Sequence, residues 1–151
     1  MGRQDVIRQA EIVARHAHRN QVDKAGRPYT EHPAAVADIT ATRYPDDTAA
    51  IATAWLHDVV EDTPVTLDEI RARFGDQIAT AVDAITRRPG EDPDDYYRRV
   101  AADPTAVKVK RADIAHNSDP ARLAALPQPT RDRLRDKYQH AVAILDELAG
   151  V

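Results

Sequence analysis

The sequence contains no cysteine. That excludes disulfides and thiolate metal sites, and leaves His, Asp and Glu as the pool from which any metal could be held. Aromatic residues are scarce too, 5% of the chain with one Trp and one Phe. With alanine abundant, the core is expected to be helix against helix at close approach. No apolar run nears the roughly 20 residues of a membrane span, and the start, Met1-Gly2-Arg3-Gln4-Asp5, does not have the pattern of a signal peptide. A cytoplasmic protein with no membrane partner is the expectation. A basic excess is also missing. The net charge of -4 argues against a general nucleic-acid binder, but it leaves room for a small anion in a locally basic pocket. What is present, 151 residues at 42% hydrophobic and 30% charged, suits a single folded domain over 1–151.

Apolar residues recur at helical spacing almost throughout. Val6, Ile7, Ala10, Val13, Ala14 and Ala17 predict a helix from 4 to about 20, with His16 exposed and His18 packed as a structural group. Gly26 and Pro28 break the pattern, and Pro33 suits the start of the next helix, with His32 at its N-terminal end and kept neutral there by the helix dipole. That helix runs to Arg43. Asp46 or Asp47 can cap a further helix over about 48–60. Thr66-Leu67-Asp68-Glu69 reads as a capping box for a short helix ending at Phe74-Gly75. Helices are expected at about 76–87, 93–102, 104–117 and 128–149, the last with Leu134, Tyr138, Ala141, Val142, Leu145 and Leu148 inward. The loop Arg88–Pro93 is the candidate for a mobile edge. No segment alternates convincingly as a strand, so the fold class is all-α, a compact bundle of about 7–9 helices.

The chemistry concentrates in Trp55-Leu56-His57-Asp58-Val59-Val60-Glu61-Asp62. Four ionisable groups at the end of an apolar helix are costly to bury unpartnered, and a metal ion is the simplest partner. A His-Asp dipeptide alone is a weak signal. It gains support from Lys108-Val109-Lys110-Arg111-Ala112-Asp113-Ile114-Ala115-His116-Asn117, where Asp113 and Asn117 share a helix face amid apolar neighbours. With His32, these make a set drawn from three helices.

Together these segments resemble the HD-domain hydrolases of the RelA/SpoT type, in particular the stand-alone small alarmone hydrolases. The resemblance rests on Gly26-x-Pro28-Tyr29-x-x-His32-Pro33, on Leu56 through Thr63, on Phe74-Gly75 and on Lys110-x-Ala112-Asp113-x-x-His116-Asn117, in order and in register over about residues 6–118. It implies a single HD domain closed by a C-terminal packing helix over about 128–149. It also implies a divalent metal, usually manganese, on His32, His57, Asp58 and Asp113. Glu61 and Asp62 are implied as the catalytic acids that orient a metal-activated water and manage protons. The implied reaction removes pyrophosphate from the ribose 3′ position of guanosine tetra- or pentaphosphate. Lys24 and Asn117 match substrate-contacting positions, with Tyr29 and Lys110 as further candidates and Arg27, Lys108 and Arg111 as possible helpers. His116 reads as structural.

Two positions depart from the family. Asp23 stands where an arginine usually stacks on the guanine, and Asp119 where many members carry another arginine. An acid cannot stack as a guanidinium does, so an adenosine analogue is an equal candidate and Asp23→Arg is expected to favour the guanosine alarmone. Two alternatives stay open. One is a phosphatase of another phosphorylated nucleotide, a deoxynucleotide or a nicotinamide dinucleotide phosphate, releasing orthophosphate. The other is a non-catalytic nucleotide-binding module.

Overall fold

The computed structural model describes residues 2–150, and among them the architecture is helical throughout. Eight helices of two turns or more are present: α1 (Arg3–Ala17), α2 (Glu31–Arg43), α3 (Thr48–Leu56), α5 (Leu67–Phe74), α6 (Asp76–Ile85), α7 (Pro93–Ala101), α8 (Pro104–Asn117) and α10 (Gln128–Ala149). Two single-turn helices join them, α4 (Val59–Asp62) and α9 (Pro120–Ala124). The one extended feature is an isolated bridge between Val22 and Pro28 that closes the α1–α2 loop. No described helix is long and apolar enough to cross a membrane.

Helix starts follow the side chains that can satisfy free N–H groups. Asp47 accepts from Ala50 N at 3.0 Å and Thr66 from Glu69 N at 3.2 Å, as their sequences predict. Asp92, Asp103 and Asp119 do the same, each just before a proline. Asp119 is thus the N-cap of α9, a helix that the sequence pattern did not reveal.

Every residue of α3 from Ala50 to Leu56 is buried, and its small side chains let α1, α2, α6 and α8 approach it closely. A second apolar cluster joins α6, α7, α8 and α10 around Tyr96, Tyr97, Val100 and Leu145. α8 serves both clusters: Val109 and Ala112 face the first, Ala106, Val107 and Ile114 the second. That leaves Asp113 and Lys110 buried between them.

Three expectations change. The helix expected over 48–60 ends at Leu56, where Asp58 takes φ -106 and ψ 0 before α4 begins. Leu148 is 49% exposed rather than inward. The Arg88–Pro93 loop is tied down rather than loose, since Glu91 receives Arg88 N and pairs with Arg99 at 2.5 Å.

Candidate metal and phosphate site

Neighbouring residues on a continuous helix point about 100° apart. The break after Leu56 removes that divergence. His57 Nε2 and Asp58 Oδ2 come within 3.1 Å of each other. From α2, His32 Nε2 lies 3.8 Å from Asp58 Oδ2. From α8, Asp113 Oδ1 lies 2.8 Å from His32 Nε2 and 3.5 Å from His57 Nε2. Ligand atoms of His32, His57 and Asp113 therefore lie within 4.8 Å of one another, and Asp58 stands beside both histidines.

The ring nitrogens are oriented from behind. His57 Nδ1–H donates to Ala54 O at 2.7 Å, which turns its Nε2 toward the cluster. That Nε2 is buried and, though both carboxylates lie within 3.5 Å, it makes no aligned hydrogen bond with either. The Nδ1 atoms of His32 and His116 lie 2.7 Å apart. Burial, followed by the nearby His32 and Arg122, pushes the His116 pKa down to about 4, which leaves it neutral and able to accept from His32 Nδ1–H. His32 Nε2, 2.8 Å from Asp113 Oδ1, faces the same cluster. Ligand atoms at right angles around an ion with bonds of about 2.1 Å stand roughly 3 Å apart, close to the separations here. Two imidazole nitrogens and two carboxylate oxygens fit a borderline divalent ion.

The charge balance agrees. Burial opposes ionisation of Asp113, but Lys110 and the two histidines hold its carboxyl well below the usual range. Burial likewise opposes a charge on His57, yet Asp58 and Asp113 hold its pKa well above the usual value. Without a metal ion, the Lys110 ammonium offsets Asp113 from one side and imidazolium protons must offset the charge that remains. A divalent ion would take over that role.

Around this centre the carboxylates are braced. The Tyr29 hydroxyl donates to Asp58 Oδ2. Asn117 Nδ2 donates to Asp113 Oδ1 at 3.0 Å, and Lys110 Nζ to Asp113 Oδ2 at 2.9 Å. Glu61 and Asp62, at the solvent edge, sit beside Asp58, the three carboxylates lying within 4.8 Å of one another. Glu61 accepts from Arg87 N at 2.8 Å. Partial burial, then repulsion from Asp58 and Glu61, pushes the Asp62 carboxyl up to about 6.

A cavity of about 490 Å³ is lined by Lys24, Tyr29 and Asn117, which the sequence named, and by Asp23 and Arg27. Two further cations line it that sequence reasoning missed, Arg122 on α9 and Lys137 on α10. Both fall in stretches of alternating charge that resemble an ordinary solvated face. Desolvation and the nearby Arg87 and Lys110 lower the Lys137 pKa, a sign of the positive field there. Arg122 places a cation near the position that Asp119 was expected to deprive of one.

Lys110 is corrected: it is 7% exposed, sits behind Asp113 and lies 5.1 Å from the Tyr96 ring centre, so it faces a carboxylate rather than the cavity. Lys108 pairs with Asp47 and Arg111 with Asp146, both away from the site. Asp23 accepts from Ala25 N and Arg27 N at 2.9 and 3.0 Å. It shapes the loop that carries Lys24, while Gly26 turns that loop at φ +81. Asp23→Arg would therefore remove a loop brace as well as add a cation.

An HD-domain family model matches residues 10–92, which include His32, His57, Asp58, Glu61 and Asp62. A probable GTP pyrophosphokinase of Mycobacterium leprae is 33% identical over 97% of this chain and 19% of its own length. The guanosine-3′,5′-bis(diphosphate) 3′-pyrophosphohydrolase of Haemophilus influenzae is 36% identical over 70% of this chain and 17% of its own. A probable enzyme of the same name from Synechocystis is 36% identical over 97% and 20%. The chain thus spans about a fifth of the length of these curated relatives. A solved structure of a metazoan ortholog of SpoT, described as hydrolysing ppGpp, superposes with a TM-score of 0.80 at 24% identity, over 95% of this chain and 86% of that one, which establishes the shared fold. On these matches, and with relatives of the RelA/SpoT type along nearly its whole length, the chain belongs to the HD-domain family.

Proposed function

We propose that this chain is a divalent-metal-dependent phosphohydrolase that removes pyrophosphate from the 3′ position of an alarmone nucleotide, guanosine tetra- or pentaphosphate or an adenosine analogue. The observation that carries the reading is the buried group of His32, His57 and Asp113 with Asp58 beside both histidines, bordered by two further acids and a cationic cavity. A divalent ion, manganese by the family resemblance, supplies a Lewis acid for a phosphoryl oxygen and makes a nearby water easier to deprotonate.

The chain's own groups do the rest. Lys24, Arg122 and Lys137 draw the phosphates into the cavity, and Asn117 reaches it from the end of α8. Glu61 and Asp62 orient the attacking water and take its proton. Water oxygen bonds to the phosphorus next to ribose, the bond to O3′ breaks, and a proton goes to O3′. An Asp62 carboxyl near 6 suits a group that both accepts and returns a proton close to neutrality. Tyr29 and His116 are positioning residues that hold Asp58 and His32.

Protein stripped with a chelator and dialysed should be inactive toward both alarmones and regain full turnover with about one equivalent of manganese per chain. Full turnover in the stripped protein would overturn the proposal. Orthophosphate as the sole phosphorus product would instead favour the phosphatase alternative. Tyr29→Phe removes only the hydroxyl that braces Asp58. It is expected to weaken manganese binding about 10- to 100-fold, read by calorimetric titration of stripped protein, while leaving the fold intact. Unchanged affinity would deny the hydroxyl any part in setting the site.

A further inference from the structure

α9 is a thin wall between two cavities. Arg122 faces the one beside the metal cluster, while Leu123 and Ala124 face another of about 590 Å³ bounded by α8, α9 and α10. Nothing in the proposed reaction uses this second space. Its walls are mostly apolar, with Ile114, Leu123 and Val142, and its two ionic groups are both arginines, Arg131 and Arg135. Arg135 is partly spoken for by Asp132 at 3.2 Å. Arg131 Nε, however, is buried with no hydrogen-bond partner. No carboxylate lines the cavity. Arg131 also lies at the start of α10, whose first turn has no side-chain cap and so adds positive potential.

Arg131 is half-buried with its Nε closed to solvent and unpaired, and a guanidinium held beside apolar walls with no carboxylate among the lining residues can pair with an anion that enters the cavity. The volume falls within the range of small-molecule sites. Two arginines among apolar groups match one acidic group on an apolar body. The cavity beside the metal cluster differs, with Lys24, Arg27, Arg122 and Lys137 suited to a chain of phosphates.

We propose that the cavity between α8, α9 and α10 is a second binding site, for a small organic anion with a planar apolar body and a single acidic group held by Arg131. The probe is 1-anilinonaphthalene-8-sulfonate, titrated into the full chain and read by its fluorescence. One saturable site per chain is expected. Arg131→Gln should weaken it about tenfold, the value of one charge-assisted hydrogen bond. Ala124→Trp, which fills the space from α9, should abolish the saturable signal. The uncharged N-phenyl-1-naphthylamine should be indifferent to Arg131→Gln. Lys24→Glu, in the neighbouring cavity, should leave the affinity for the sulfonate unchanged. Circular dichroism and Tm identify which variants remain folded, and the two cavity variants back each other up if one does not. Undiminished binding in folded Arg131→Gln or folded Ala124→Trp would overturn the proposal, and so would a loss in Lys24→Glu that matches Arg131→Gln. None of these readings depends on hydrolysis, so failure here leaves the proposed reaction standing, and the reverse.

Discussion

Asp113→Ala is expected to abolish retention of the divalent ion and to lower the stability of the metal-free protein by about 3–5 kcal/mol. The two losses have separate causes. Asp113 Oδ1 faces both histidine Nε2 atoms, so its removal takes away the one carboxylate supplied by α8. Oδ2 accepts from Lys110, which is only 7% exposed. Without Asp113 that ammonium is buried beside Tyr96 with no counter-charge. For a chain of this size the fall corresponds to a drop in Tm on the order of 10 °C.

Measured in chelator, the Tm isolates the ion pair from the metal. Adding Lys110→Met to Asp113→Ala should recover most of the stability but none of the metal, because it removes the stranded charge and not the missing ligand. The sign with pH is also fixed. Asp113 has its folded pKa depressed, so its contribution is full above the ordinary carboxylate value near 4 and is lost as pH falls below it. Wild type should therefore lose stability toward acid more steeply than Asp113→Ala. Metal retained through dialysis by the variant, or an unchanged Tm in chelator, would contradict this assignment.

Glu61→Gln and Asp62→Asn should each lower kcat by about 10²- to 10⁴-fold while keeping the metal and the fold. Both acids stand outside the buried His32, His57 and Asp113 group and are exposed, so the amides remove proton transfer without disturbing packing. Metal content, Tm and single-turnover rate on the same preparations separate the possibilities. A variant that loses its ion would make that acid a ligand. Full turnover would remove it from the proposed reaction.

How far the sequence reached depends on which interactions are local. The converging residues His32, His57, Asp58 and Asp113 were legible because they occur in short segments whose order and spacing resemble a known family. Helix caps such as Asp47 and Thr66 were legible because the cap and the amide it serves are three residues apart. Pairings across helices were not. Lys110 sits between Val109 and Arg111 in a basic run, and only the packing of α8 between two apolar clusters turns it inward to Asp113. His116 reads as structural, but its partner His32 lies 84 positions away and could not be named from the sequence. The break after Leu56 was hidden by uninterrupted helix-forming residues, and it decides whether adjacent His57 and Asp58 can share one ion. Arg122 and Lys137 were hidden for the opposite reason, being charges among charges, until α9 and α10 turned them toward the cavity.

The most direct test of the proposed reaction is turnover of the 3′-pyrophosphorylated nucleotides by manganese-loaded protein in ¹⁸O-labelled water, with every product weighed by mass spectrometry. One labelled oxygen is expected in pyrophosphate and none in the nucleoside 5′-di- or triphosphate, from attack at the phosphorus next to ribose. Label in orthophosphate alone would contradict it, as would no turnover of either nucleotide by protein that holds its metal.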